Sequence, residues 1–146
     1  MEPLDLRLQP PRSPHEELDG LMLLPRTIDK LRGFLPGGNP GGYIINGKIK
    51  GLSGWLLERL GITEDALRAA VAEARDENDV ATWLRAHTDA TQYAAINETL
   101  RRIKPKHAED PAYFNDLYAE TLRENPDLTL IIDILDADDR RTFATR

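Results

Sequence analysis

No cysteine occurs in the 146 residues, which removes disulfides, thiolate metal sites and cysteine nucleophiles together. Aromatic residues are scarce at 6%, and no apolar run approaches the ~18 residues that a bilayer-spanning helix needs. The opening stretch MEPLDLRLQPPRSP has no positive segment followed by an apolar one, so a secretory leader is not expected. Basic excess is also missing. Nineteen Lys and Arg face 25 Asp and Glu, a net charge of −6, and a surface of that sign repels nucleic acid and anionic lipid. These absences predict a soluble, cytoplasmic protein with neither a nucleic-acid nor a membrane partner.

What is present fits one helical domain. The length is close to the commonest domain size, and 30% charged with 40% hydrophobic residues suits amphipathic helices around a single core. Pro3, Pro10 and Pro11 mark residues 1–12 as an extended N-terminal arm, leaving residues 13–146 as the helical domain. Ser13-Pro14-His15-Glu16 reads as a capping box with proline at the first helical position, and Gly20 as the stop of that helix. From there Leu24, Ile28, Leu31 and Leu35 recur at spacings of four, three and four. They form one apolar stripe, with Arg26, Asp29 and Lys30 on the opposite side.

Further helices are expected over 51–60, closed by Gly61; after Thr63; around Val80, Trp83, Leu84 and His87; from the Asp89/Gln92 box to about Ile103; and from Asp110-Pro111 to Asn125-Pro126. The block DLTLIIDILDADD fits a helix through Leu128, Ile131, Ile132 and Leu135, and a strand through Leu128, Leu130, Ile132 and Ile134. Helix is favoured. The expected fold is therefore mainly α, a bundle-like arrangement of about six or seven helices, with room for one short β-hairpin near residues 43–50.

No catalytic motif emerges. GYIINGKI, residues 42–49, matches seven positions of a phosphate-binding loop but places Ile49 where the magnesium-holding hydroxyl belongs. Asn46-Gly47 instead suits a type I′ hairpin turn. His15, His87 and His107 have no metal-ligand spacing, and Asp133, Asp136, Asp138 and Asp139 lack the glycine and glutamate of a calcium loop. No metal or cofactor is expected. The one suggestive constellation is Arg12, Arg26, Asp29 and Lys30. Arg26 and Lys30 stand one helical turn apart and would suit a carboxylate or phosphate. The alternative is a surface ladder in which Asp29 pairs with Arg26 and Arg32.

PRSPHEELDGLMLLPRTIDKLRG together with YFNDLYAETLRENPDLTLIIDILDADDRRTF resembles an uncharacterised bacterial family known as domain of unknown function 5069. The resemblance rests on Pro11, Arg12, Ser13 and Pro14; on Leu24, Pro25, Arg26, Asp29 and Lys30; and on Asp133, Ile134, Leu135, Asp136, Asp138 and Asp139. It covers the chain from about residue 10 and departs at YIINGKIKG, where the family has a tyrosine-containing segment leading into an Asn-Cys-Pro-Leu-like turn. The resemblance implies a single-domain bacterial protein, leans the last block toward helix, and assigns no activity. Two functions stay open on sequence alone: a non-catalytic module that binds a protein partner or a second copy of itself, and a small-molecule-binding protein or enzyme holding an anion with Arg12, Arg26 and Lys30.

Overall fold

The computed structural model describes residues 1–144. A short antiparallel hairpin, β1 (Glu17–Leu18) and β2 (Leu21–Met22), is followed by eight α-helices among the described residues. These are α1 (Leu24–Gly33), α2 (Leu52–Leu60), α3 (Glu64–Glu73), α4 (Glu77–His87), α5 (Tyr93–Leu100), α6 (Pro111–Leu117), α7 (Ala119–Glu124) and α8 (Ile131–Phe143). The class is mainly α, as the sequence indicates. The ambiguous last block is helix α8, and the segment from Asp110 divides at Tyr118 into α6 and α7.

Local chemistry sets most of the boundaries. Thr63, Asp76 and Asp110 each accept a backbone N–H from three residues on, at 3.0–3.1 Å, and so satisfy donors the helix itself leaves unpaired. Pro111 sits in the first turn of α6, and Gly61 closes α2 in the left-handed conformation at φ 72°.

The helix expected from Ser13 to Gly20 is not formed. The Ser13 N–H does donate to Glu16 Oε2 at 3.3 Å, yet the chain then extends into β1. Asp19 and Gly20 have φ of 55° and 79°, and Leu18 pairs with Leu21 across them. That is the two-residue turn with positive φ at both centres which Asp-Gly favours. An eight-residue helix has little stability of its own, whereas the hairpin buries Leu21 and Met22 almost completely. Conversely, neither Asn46 nor Gly47 has positive φ, and residues 43–50 form an irregular loop with one antiparallel bridge between Asn46 and Lys50. Burial of Ile45 in the core fixes that loop from the protein side rather than from its turn residues.

Residues 1–12 bridge to Asn39 at Asp5, turn at residues 6–8 and pack against the rest of the chain. Leu6 is buried, its N–H donates to Asn39 O, and the Met1 ammonium donates to Val71 O and Ala74 O at the C-terminal end of α3. A cation there is favoured by the helix dipole.

The main apolar cluster joins β2, α1, α2, α3, α4 and α5, and a smaller one joins Phe114 of α6 to Ile131, Ile134 and Leu135 of α8. Leu52 packs against both. Helix α1 is covered on every side: its stripe Leu24, Ile28 and Leu31 lies in the main cluster, while Arg26, Asp29 and Lys30, expected to face solvent, are 2%, 4% and 7% exposed. Of the ion-pair ladder only the Asp29–Arg32 rung forms, at 3.7 Å, while Arg26 pairs with Asp139 instead.

Candidate functional site

Arg26 and Lys30 lie at i and i+4 of α1, so they project from one face of it. Arg26 Nη1 donates to Asp139 Oδ2 of α8 at 2.7 Å and to Arg12 O at 3.2 Å. Tyr43 completes the group: its hydroxyl donates to Asp139 Oδ1 at 2.6 Å, and its ring centroid lies 5.5 Å from the Arg26 guanidinium. Burial, reinforced by the Asp139 carboxylate, holds the Tyr43 phenol protonated far above its ordinary range. Among the described residues, both hydrogen bonds of Arg26 leave from Nη1 and its buried Nε has no partner. An unmatched donor at such depth is uncommon, because it costs about 1–3 kcal/mol.

Among the described residues no carboxylate bonds to the buried Lys30. Its Nζ donates to Ile44 O at 3.1 Å and reaches Ser53 Oγ at 3.4 Å. Ser53 Oγ lies 2.9 Å from Thr27 Oγ1, which lies 2.9 Å from Leu23 O. Each hydroxyl in this chain can donate onward to the next oxygen, which leaves Ser53 Oγ free to accept from Lys30. Burial lowers the Lys30 ammonium to about 7, the neighbouring Arg26 charge acts in the same direction, and Asp139 opposes both.

The other two residues of the expected cluster face elsewhere. Arg12 Nε and Nη2 grip Asp29 at 3.0 and 3.1 Å, and its Nη1 binds Glu77 of α4. Arg32 adds a longer contact to Asp29 at 3.7 Å. Arg12 and Asp29 thus clamp the N-terminal segment onto α1 and α4. The structure brings Arg26 and Lys30 to a common cavity and leaves Arg12 and Asp29 outside its wall.

That cavity has a volume of about 440 Å³ and lies along the seam between the two apolar clusters, within the size range of small-molecule sites. One wall is apolar, with Leu52 and Trp55 from α2, Phe114 and Leu117 from α6, and Ile131 and Leu135 from α8. The other wall is α1 with the loop 42–51. Four basic side chains, Arg26, Lys30, Lys48 and Lys50, line it against two carboxylates, Glu109 and Asp138. Basic side chains thus outnumber acidic ones in the lining, with Arg26 paired to Asp139 and Lys50 to Glu58. Tyr118 contributes a hydroxyl, its pKa pushed up to about 12 by burial and then by Asp138. Ile44 and Leu117, two large apolar residues exposed to solvent, are also part of the lining.

Sequence reasoning missed the loop and the α6–α8 side of this cavity, and no spacing could have found them, because Tyr43, Trp55, Tyr118 and Asp138 meet only through tertiary packing. One local signal existed. Gly54 lies inside α2, where glycine costs about 1 kcal/mol relative to alanine. A Cβ there would stand 2.7 Å from Ile45 O, so the glycine admits the loop that carries Ile44 O to Lys30. Gly54→Ala is expected to lose about 1–3 kcal/mol of stability despite its better helix propensity, because the loop must move. Thermal unfolding checks the sign, and a stabilised variant would show that the loop position is not fixed by this approach.

A family model described as Domain of unknown function (DUF5069) matches residues 8–141. The chain belongs to the DUF5069 family. The match spans the hairpin and all of α1 to α7, and it takes in α8 as far as Arg141, so every wall of the DUF5069 cavity falls within it. No curated protein matches the chain. Among the described residues of this DUF5069 protein no helix is long and apolar enough to cross a membrane.

Proposed function

We propose that the protein binds a small anionic molecule with an apolar body, the charge held between Arg26 and Lys30 and the body against Trp55, Leu52 and Phe114. The observation that carries this reading is the meeting of two buried basic side chains, Arg26 and Lys30, with an apolar wall in one cavity. A carboxylate accepts from a guanidinium edge in two places, and a charged bond of this kind contributes about 1.5–3 kcal/mol. The larger number of basic than acidic side chains in the lining favours an anionic ligand. The reading keeps two of the three cations expected from the sequence, Arg26 and Lys30, and gives Arg12 the part of a clamp.

The reading preferred on sequence, a module for a protein partner or a second copy, has less support. Among the described residues four large apolar side chains are exposed, Leu8, Phe34, Ile44 and Leu117; the last two belong to the cavity lining, and the Arg68 guanidinium lies 4.4 Å from the Phe34 ring. The bacterial cytosol is the proposed setting, in keeping with a chain free of cysteine.

The test is calorimetric titration with 3-phenylpropionate, beside 3-phenylpropanol as the same body without the charge. The acid is expected to bind at least about tenfold more tightly than the alcohol, as one charged hydrogen bond requires. Lys30→Met should weaken the acid by a similar factor and leave the alcohol unchanged. Equal affinities for the two compounds, or no binding of either, would remove the anion site.

A further inference from the structure

We propose that Lys30 is a nucleophilic amine that forms a reversible imine with a 2-oxo acid whose side chain is apolar. The inference rests on the cavity being the ligand site, and it adds the class of ligand and a covalent step. A 2-oxo acid offers a carboxylate directly bonded to a ketone carbon. Arg26 and Lys30, one helical turn apart on the same wall, offer a guanidinium beside an amine. The apolar wall opposite suits an aliphatic or aromatic side chain.

The surroundings of Nζ match a neutral amine. It has two acceptors, Ile44 O and Ser53 Oγ, and a neutral amine has two N–H donors, so its lone pair is left over for a carbon electrophile. An ammonium would carry a third N–H with no partner in this shell, in a side chain only 7% exposed. The buried Thr27–Ser53 pair keeps the second acceptor in place from below. The other ionisable groups around it are Arg26 on the same helix, Tyr43, Lys48 and Lys50 in the loop, Asp138 and Asp139 on α8, and His107, Glu109, Tyr113 and Tyr118 across the cavity. Burial and Arg26 together keep a large fraction of the amine neutral near pH 7.

The Nζ lone pair bonds to the ketone carbon while the carbonyl π pair moves to oxygen. A proton passes from nitrogen to that oxygen, which gives a carbinolamine. Its hydroxyl takes one more proton, supplied by solvent, and leaves as water, so amine, ketone and proton become a protonated imine and water. No oxidant or reductant takes part. The Asp139 carboxylate behind Arg26 keeps the wall from accumulating two unbalanced positive charges when the imine forms.

The experiment incubates the intact protein with phenylpyruvate and sodium cyanoborohydride, then reads intact mass and a peptide map. The chain has five lysines, at 30, 48, 50, 104 and 106, so the site is resolved from the others. The expected result is one adduct, of phenylpyruvate less one oxygen, at Lys30 and at least about tenfold above any other lysine. Its rate should level off above roughly pH 8, whereas an exposed lysine, with a pKa of about 10.4, continues to gain through pH 10. Excess 3-phenylpropionate should suppress it, and Lys30→Met should abolish it. If phenylpyruvate binds, is displaced by 3-phenylpropionate, and yields no adduct or one spread over all lysines, the imine is wrong and the anion site stands. If neither acid binds, the site and the imine fall together.

Discussion

Arg26→Met is expected to lower stability by about 3–5 kcal/mol, read as a shift of the urea midpoint at unchanged slope. The change removes the partner of Asp139, a buried carboxylate 7% exposed whose remaining bond is the one from Tyr43. The loss is thus the cost of a stranded buried charge as much as the worth of the pair itself. It is also a large share of a domain's net stability, about 5–15 kcal/mol. A variant that fails to fold would agree with this account without measuring it, so the double variant Arg26→Met/Asp139→Leu carries the test. With both charges gone nothing is stranded, and stability should return to within about 1–2 kcal/mol of the parent, the residue being the Tyr43 hydroxyl that loses its acceptor. If the double variant is as unstable as the single, packing rather than charge governs this contact, and the description of Arg26 as half of a balanced pair fails.

The same residues show what sequence patterning can and cannot deliver. A spacing of four, three and four identified one apolar face of α1 correctly, because that periodicity is a property of the helix alone. It could not report that the opposite face is covered, since the cover comes from Asp139, 113 positions after Arg26, and from an irregular loop with no periodicity. Arg26, Asp29 and Lys30 accordingly read as solvated when they are among the most buried charges of the chain. Caps were legible at Thr63 and Asp110 because a cap is settled within three residues. At Ser13 the same local chemistry misled: its hydroxyl donates to Asp136 of α8 at 2.9 Å, and the buried run Leu21–Leu24 draws the segment into a hairpin. Asp19-Gly20 carried the correct turn signal there, but Gly20 serves equally as a helix stop on paper.

Lys30→Met is expected to do the reverse of Arg26→Met and stabilise the protein, by on the order of 2–4 kcal/mol at pH 6. The folded state holds Lys30 at about 7 against an ordinary lysine of 10.5. Between those values the unfolded chain binds more protons at this position than the folded one, so wild-type stability rises with pH across that window. Below about pH 7 both states are protonated and the burial cost is present in full; above about pH 10.5 both are neutral and it is gone. The advantage of the methionine variant should therefore be constant at low pH, shrink from about pH 7 upward, and vanish near pH 10.5, with a slope of at most about 1.4 kcal/mol per pH unit. Urea melts of the two proteins at pH 6, 8 and 10 resolve this. Methionine matches the lysine stem in volume, so packing changes little, while the Ile44 carbonyl loses a donor and reduces the gain somewhat. A methionine variant less stable than the parent at every pH would make Lys30 a strut for the loop 43–50. A variant more stable by the expected amount, and weaker by about tenfold for 3-phenylpropionate, would mean the chain keeps a costly buried amine at a wall where a ligand can use it.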